Sequence, residues 1–322
     1  MLAITTLLDE RALICPRCRS TLTCVEGSWL CSGPPCPHAT DPFPVVADAP
    51  VLVDFERSVL SAEAVEASAG ASLVTRPDRP GIVKRMLHPA NTQAPRIAGR
   101  MVELLLADQD VNSETTGAAP RILVIGGGTV GDGLEALYAD GRVDIVAFDV
   151  YASANVQLVA DGHRIPLADG AVDGVIIQAV LEHVLEPVVV VSEIHRVLRD
   201  RGVVYADTPF MQQVHEGPYD FTRFTESGHR YLFRDFEQLE SGQVAGAGTS
   251  LRWSIGYFFR ALTRSVAAGR IAGLAFFWLS HLDRFLDPRH SLDGASSVYF
   301  LGRKGGPVMT PPQAIEHYQG GM

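Results

Sequence analysis

The sequence predicts an α/β protein: a doubly wound, mostly parallel sheet with a small cysteine-rich module ahead of it. Three observations lead there. Apolar runs of strand length alternate with helical patterns from about residue 96 onward, one run breaks into a cluster of glycines, and all five cysteines fall between Cys15 and Cys36. The chain has 322 residues, 47% of them hydrophobic, which exceeds one average domain and suffices for a substantial core. The expected division is a module over residues 1–60, a helix and linker over 61–95, and a large domain over 96–322 with a helical insertion at about 251–288.

The module comes first. Cys15-Pro-Arg-Cys18 forms a knuckle whose thiolates can face one ion, and Cys31 and Cys36 supply a second pair after a hairpin-like stretch containing Trp29. Four thiolates suit tetrahedral zinc in a structural role, since they leave no open position for a substrate. The large domain has no cysteine, which favours a local metal site over a disulfide framework. Cys24 and His38 are further candidate ligands. The opening MLAITTLLDERALICP lacks a cationic start, a sustained apolar stretch and a cleavage site, so a cytoplasmic protein is expected.

Residues 61–79 are rich in Ala, Ser and Glu and precede RPDRPG, reading as helix and linker. Ile97, Met101, Leu104 and Leu105 then mark one face of a helix, and NSETTGAAP (112–120) is a polar loop. ILVIGGGTVGDG (122–133) follows, a strand delivering its end to a glycine turn. Such a turn lets bare backbone approach a ligand. Gly126, Gly128 and Gly131 satisfy G-x-G-x-x-G, a spacing that by itself admits either a dinucleotide or S-adenosylmethionine. VDIVAFDV (143–150) is a second buried strand ending in Asp149, placed where an acid can accept hydrogen bonds from ribose hydroxyls. Asp161 opens the next loop, Asp169 and Asp173 shape a turn, and a fourth strand ends at Gln178. EPVVVVSEIHRVLRDRG (186–202) is a helix, with Val188, Val191, Ile194 and Leu198 at helical spacing and Gly202 expected to end it. VVYAD (203–207) is the fifth strand.

The run from Asp161 through Ile165-Pro166-Leu167 and Asp169-Gly170 into an apolar strand resembles the class I S-adenosylmethionine-dependent methyltransferases, particularly the type 11 group. The resemblance spans about residues 96–304. It implies a seven-stranded Rossmann-like methyltransferase sheet whose last strand, here SVYFLGRK (297–304), inserts antiparallel. It also implies that Gly126, Gly128 and Gly131 flank the methionine and ribose of the cofactor and that Asp149 holds the ribose diol. Asp161, Gly162 and His163 would border the adenine, and Gln178 would face the cofactor. Two positions depart from the pattern: Val124 stands where many relatives carry an acid, and Gly131 falls one residue after their last glycine. The cysteine module, continued by DPFPVVADAPVLVDFE (41–56), resembles the small zinc-ribbon proteins that activate RNA and protein methyltransferases. It departs from them in the four residues separating Cys31 from Cys36.

Substrate is expected at TPFMQQVHEGPYDFTRFTES (208–227), beyond the fifth strand, where Phe210, Tyr219, Phe221 and Phe224 can wall a pocket and Asp220 and Arg223 can hold polar groups. Arg223 can equally brace the loop through Asp220 or Glu226. His183 and His215 are the candidate bases for a hydroxyl acceptor, and Glu182 can hold His183. The formal net charge is −10 and the only lysines are Lys84 and Lys304, a balance that disfavours a broad nucleic-acid surface. The insertion reads as two helices split near Gly269, and arginines beside Phe276, Phe277 and Trp278 suit an interfacial helix in peripheral contact with a membrane. A lid or a homodimer contact is the plainer reading. The sequence therefore points to methylation of a hydroxyl on a small-molecule, sugar or glycan-type acceptor. The alternatives are an RNA-base methyltransferase, an NAD(P)-dependent reductase, and a noncatalytic cofactor-binding module.

Overall fold

A computed structural model describes residues 1–67, 91–111 and 118–321. Part of the expected linker and most of the polar loop at 112–120 lie outside these. The strands, in chain order, are β1 (Leu22–Val25), β2 (Ser28–Cys31), β3 (Val45–Val46), β4 (Ala49–Leu52), β5 (Arg121–Ile125), β6 (Asp144–Asp149), β7 (Leu158–Ala160), β8 (Val172–Gln178), β9 (Leu198–Pro209), β10 (Phe236–Ala245) and β11 (Ser297–Lys304). β1 and β2 form a separate hairpin, while the other nine make one sheet in the order β3-β4-β7-β6-β5-β8-β9-β11-β10. From β4 to β9 all neighbours are parallel. β11 runs antiparallel between β9 and β10, as expected for Ser297–Lys304.

Among the described residues the sheet has nine strands where the resemblance implies seven. Seven of them, β7-β6-β5-β8-β9-β11-β10, form the doubly wound unit, and β4 of the cysteine module pairs with the free side of β7 through Val51 and Leu52. All four residues of β4 are buried. An open β7 would expose unpaired backbone groups, and the apolar ending of the module covers it.

Alternation along the strands sorts the core into two layers. Ile122 and Val124 face the helix Gln93–Val111, whose Ile97, Met101 and Leu105 are fully buried. Leu123 and Ile125 face a layer containing Val190 and Ile194 of the helix Pro187–Val197 together with Leu13, Trp29 and Phe43 of the cysteine module. The module and the sheet thus share one core. Leu13 bridges Leu167, and Arg19 pairs with Glu193 at 3.1 Å. On the opposite face, Gly174 lets the helix approach, because a Cβ there would lie 2.3 Å from Met101 Cε.

Two expected turns fall elsewhere. The helix from Pro187 ends at Val197, and the left-handed residue is Arg201 (φ 64°), with Gly202 inside β9. The insertion breaks at Arg264 (φ 53°) and Ser265, whose side chain caps the next helix by accepting from the Ala268 N–H. Gly269 lies within the helix Val266–Ala275, where a Cβ would come 2.7 Å from the Gly256 carbonyl oxygen. It permits a close helix crossing and does not split the helices. The insertion lies between β10 and β11, and no described helix is long and apolar enough to cross a membrane.

Leu13→Ala should therefore destabilise the whole chain by about 2–5 kcal/mol. Chemical denaturation should show one cooperative transition displaced to lower denaturant. A separate early transition of the amino-terminal module would contradict the shared core.

Candidate functional site

The Sγ atoms of Cys15, Cys18, Cys31 and Cys36 all lie within 4.8 Å of one another. The pair Cys15–Cys36 is separated by 3.8 Å and Cys18–Cys31 by 3.3 Å. A tetrahedron with Zn–S bonds of about 2.3 Å has S···S edges of about 3.8 Å, so the four thiolates fit one zinc ion. Cys24 is paired across the hairpin with Trp29 and stands outside the cluster. The His38 ring stacks on Phe43 at 4.0 Å, and its Nδ1 lies 3.2 Å from the Asp41 carbonyl oxygen.

A cavity of about 1100 Å³ opens at the carboxyl ends of β5, β6, β8 and β9, where the strand order reverses and the departing loops diverge. Gly126, Gly131, Asp132, Asp149, Gln178 and Asp207 line it on the sheet side. Gly126 has φ +79°, and a Cβ there would sit 2.3 Å from Val180 Cγ2; at Gly131 it would sit 2.0 Å from Gln178 Oε1. Side chains at these positions would fill the cradle. Asp149 Oδ2 accepts the Gly128 N–H at 2.8 Å, and Oδ1 accepts the Val150 N–H at 2.7 Å. Both oxygens have further lone pairs for an incoming hydroxyl. Gln178 Nε2 donates to Asp207 at 3.4 Å, and burial pushes the Asp207 carboxyl up to about 7.

Gly128, Asp161, Gly162 and His163 do not line this cavity. Tyr151 covers Gly128: a Cβ there would lie 2.4 Å from the ring. Asp161 accepts from Ser58 Oγ of the amino-terminal module, from the His163 N–H at 2.9 Å and from His163 Nδ1 at 2.6 Å. Burial opposes ionisation of Asp161, yet these donors hold its carboxyl below the usual range, and Asp161 in turn raises the His163 imidazole.

His183 and His215 both line the cavity, with ring centroids 5.0 Å apart. His183 Nδ1 donates to the Tyr219 carbonyl oxygen at 2.7 Å. His215 Nδ1 lies 3.2 Å from Asp220 Oδ2; burial and the neighbouring His183 lower its imidazole below the usual value. Beneath them Glu182 is fully buried, and burial pushes its carboxyl up to about 8.

The substrate residues expected at 208–227 take other positions. Phe210 packs on Leu292, Ala295 and Val298, Tyr219 and Phe221 are exposed, and Phe224 packs on the core near His229. Arg223 makes two bonds to Asp220 and donates to the carbonyl oxygens of Gln212 and Gln213. Burial acts to raise Asp220, but Arg223 holds it well below the usual carboxylate range. None of the six lines the cavity; Asp220 and Arg223 brace the loop that presents His215. The outer wall comes instead from Gln243, Thr249, Arg252, Trp253, Ser280 and Arg284. Sequence reading missed these because no local pattern tells which way the insertion folds. Asp283 anchors it, accepting the N–H groups of Gly246, Gly248 and Thr249 at the start of the helix Ala247–Thr263.

Residues 123–206 match the family described as a methyltransferase domain. No curated protein matches the chain. Among solved structures, the [4+2]-cyclase SpnF is 16% identical, with a TM-score of 0.39 over 76% of this chain and 90% of that one. A putative sarcosine dimethylglycine methyltransferase from Galdieria sulphuraria is 17% identical, with a TM-score of 0.39 over 65% and 87%. The complex of the Haloferax volcanii Trm112 methyltransferase activator with a putative methyltransferase is 17% identical, with a TM-score of 0.38 over 68% and 96%.

For the cysteine cluster, metal analysis of the purified chain should find zinc, one equivalent of it held by the four thiolates. Cys18→Ser should lose it and Cys24→Ser should retain it. Loss in the Cys24 variant alone would mean that a different set of ligands holds the ion.

Proposed function

We propose that the protein is an S-adenosylmethionine-dependent methyltransferase acting on a hydroxyl of a small-molecule, sugar or glycan-type acceptor. The observation that carries this reading is the charge of the cavity beside the glycine loop. Asp132, Asp149 and Asp207 all border it. Three carboxyls there suit a sulfonium cation, whose presence would favour the ionised form of Asp207, and they oppose the pyrophosphate of a dinucleotide. A dinucleotide also gains from a helix amino terminus at its phosphates, whereas the helix after this loop, Glu135–Tyr138, has four residues and an acid in its first turn. The family match from 123 to 206 runs from β5 into β9 and so includes the glycine loop, Asp149 and Gln178.

Bound there, S-adenosylmethionine supplies a methyl group already activated by its sulfonium. In this reading Asp149 accepts the ribose hydroxyls, and Gln178 and Asp207 close the polar side of the cradle. The cluster of Glu182, His183 and His215 handles the acceptor's hydroxyl proton. Trp253 offers a flat face on which a sugar ring can stack, with Gln243 and Arg252 beside it for polar groups. Phe258, Leu262, Ile271 and Phe285 of the insertion are exposed, and such apolar exposure suits an acceptor presented at an apolar or lipid surface.

Calorimetry with S-adenosylhomocysteine should show binding that Asp149→Asn weakens about 10- to 150-fold, the equivalent of losing charge-assisted hydrogen bonds of about 1.5–3 kcal/mol. His183→Ala should leave that binding nearly intact while slowing single-turnover methyl transfer by roughly 10² to 10⁴. Tight NADH binding with no affinity for S-adenosylhomocysteine would overturn the assignment.

A further inference from the structure

The floor of the cavity holds a donor set that proton transfer alone does not explain. Neither carboxylate oxygen of Glu182 has a hydrogen-bond partner among the described residues, although the side chain is fully buried. A buried carboxyl in that state takes up a proton or finds a partner charge or a metal. What faces Glu182 is two imidazole nitrogens. A carbonyl oxygen can only accept, so the bond to Tyr219 fixes the proton of His183 on Nδ1 and leaves Nε2 with its lone pair, 3.5 Å from Glu182 Oε1. His215 has the same arrangement: its Nδ1 is turned to Asp220, which Arg223 holds in place, and its Nε2 lies 3.9 Å from the same Glu182 oxygen. Glu216 Oε2 approaches His183 Nε2 at 3.8 Å.

Around an ion with bonds of about 2.0–2.2 Å, donor atoms stand roughly 3–4.4 Å apart. The separations of 3.5 and 3.9 Å fall in that range, and the three donor atoms lie within 4.8 Å of one another. Each histidine also hands its other nitrogen to a carbonyl or carboxylate oxygen, the support that orients metal-bound imidazoles.

We infer that Glu182, His183 and His215 form a binding site for one divalent transition-metal ion, with Glu216 as a further donor and an open position toward the cavity. Two imidazoles with carboxylates suit Mn²⁺, Fe²⁺, Co²⁺ or Zn²⁺ better than Mg²⁺ or Ca²⁺, which prefer oxygen alone. The site is distinct from the cysteine cluster, whose thiolates select a softer ion set. Its role rests on the methyl-transfer reading and takes the place of direct proton uptake by the histidines, whose Nε2 lone pairs would go to the ion: the open position would take an oxygen of the acceptor and make its hydroxyl more acidic. The binding site itself does not depend on that reading.

Mn²⁺ titration of the full chain, followed by electron paramagnetic resonance, tests the site, since thiolates hold this hard ion poorly. One Mn²⁺ should bind per chain, and Glu182→Gln and His215→Gln should each weaken it at least tenfold. Cys24→Ser should bind it as the wild type does. Circular dichroism and S-adenosylhomocysteine calorimetry report on folding independently, and if Glu182→Gln fails to fold, the more exposed His215→Gln decides. No Mn²⁺ binding, or equal binding by a folded variant, overturns the site. Mn²⁺ binding without methyl transfer to any hydroxyl acceptor leaves the site standing and overturns the reaction.

Discussion

The reversal of strand order between β5 and β8 is the constraint on which the rest of the molecule depends. Chain leaving β5 turns toward β6 and chain leaving β8 turns toward β9, so a crevice opens above their carboxyl ends. Gly126 adopts φ +79°, which side chains rarely take, and a Cβ at Gly126 or Gly131 would meet the side chain of Val180, just beyond β8, or of Gln178 at its end. The same crowding sets Asp149, Gln178 and Asp207 around one space, where burial raises Asp207 to about 7. A cavity with this charge gains by receiving a cation, which connects the topology of the sheet to the chemistry proposed for it.

The amino-terminal module is tied into this frame at several levels. β4 extends the sheet, Leu13 and Trp29 enter its core, and Ser58 donates to Asp161. The last contact bears on function. Asp161 holds the position that the family resemblance assigns to adenine, but here its oxygens are taken by Ser58 and His163. Through Ser58 the module therefore reaches a residue that the family resemblance sets beside the adenine.

What the sequence made legible was whatever local sterics and period decide. β5, β6 and β8 end at or beside Gly126, Asp149 and Gln178 because apolar runs and their terminators sit in the chain itself, and the helix face of Ile97, Met101 and Leu105 follows from a period of 3.6. β11 was legible for the same reason. β10 was not placed, because half-buried residues along it give no clean alternation. Gly202 and Gly269 read as helix breakers, yet Gly202 lies inside β9 among Arg199, Leu198 and Asp173, and Gly269 lies against Gly256 of the neighbouring helix. The aromatic residues at 210–224 look like a pocket in sequence; whether they face a cavity depends on the docking of the insertion, which is decided by Asp283 and the start of the helix Ala247–Thr263.

The histidine cluster shows how a site can be built from segments without their most conspicuous side chains touching a ligand. The backbone carbonyl of Glu182 accepts the N–H groups of Phe221 and Thr222, while Tyr219 returns its own carbonyl to His183. The loop and the turn Leu181–His183 are thus laced through main-chain atoms, and Arg223 with Asp220 fixes the arm that carries His215. Tyr219 and Phe221 contribute through their backbone, so their side chains are free to stand exposed. The consequence for Glu182 is direct: its main chain is held by Phe221 and Thr222 and its carboxyl stays buried, so that it is neutralised either by a proton or by an ion shared with the two imidazoles.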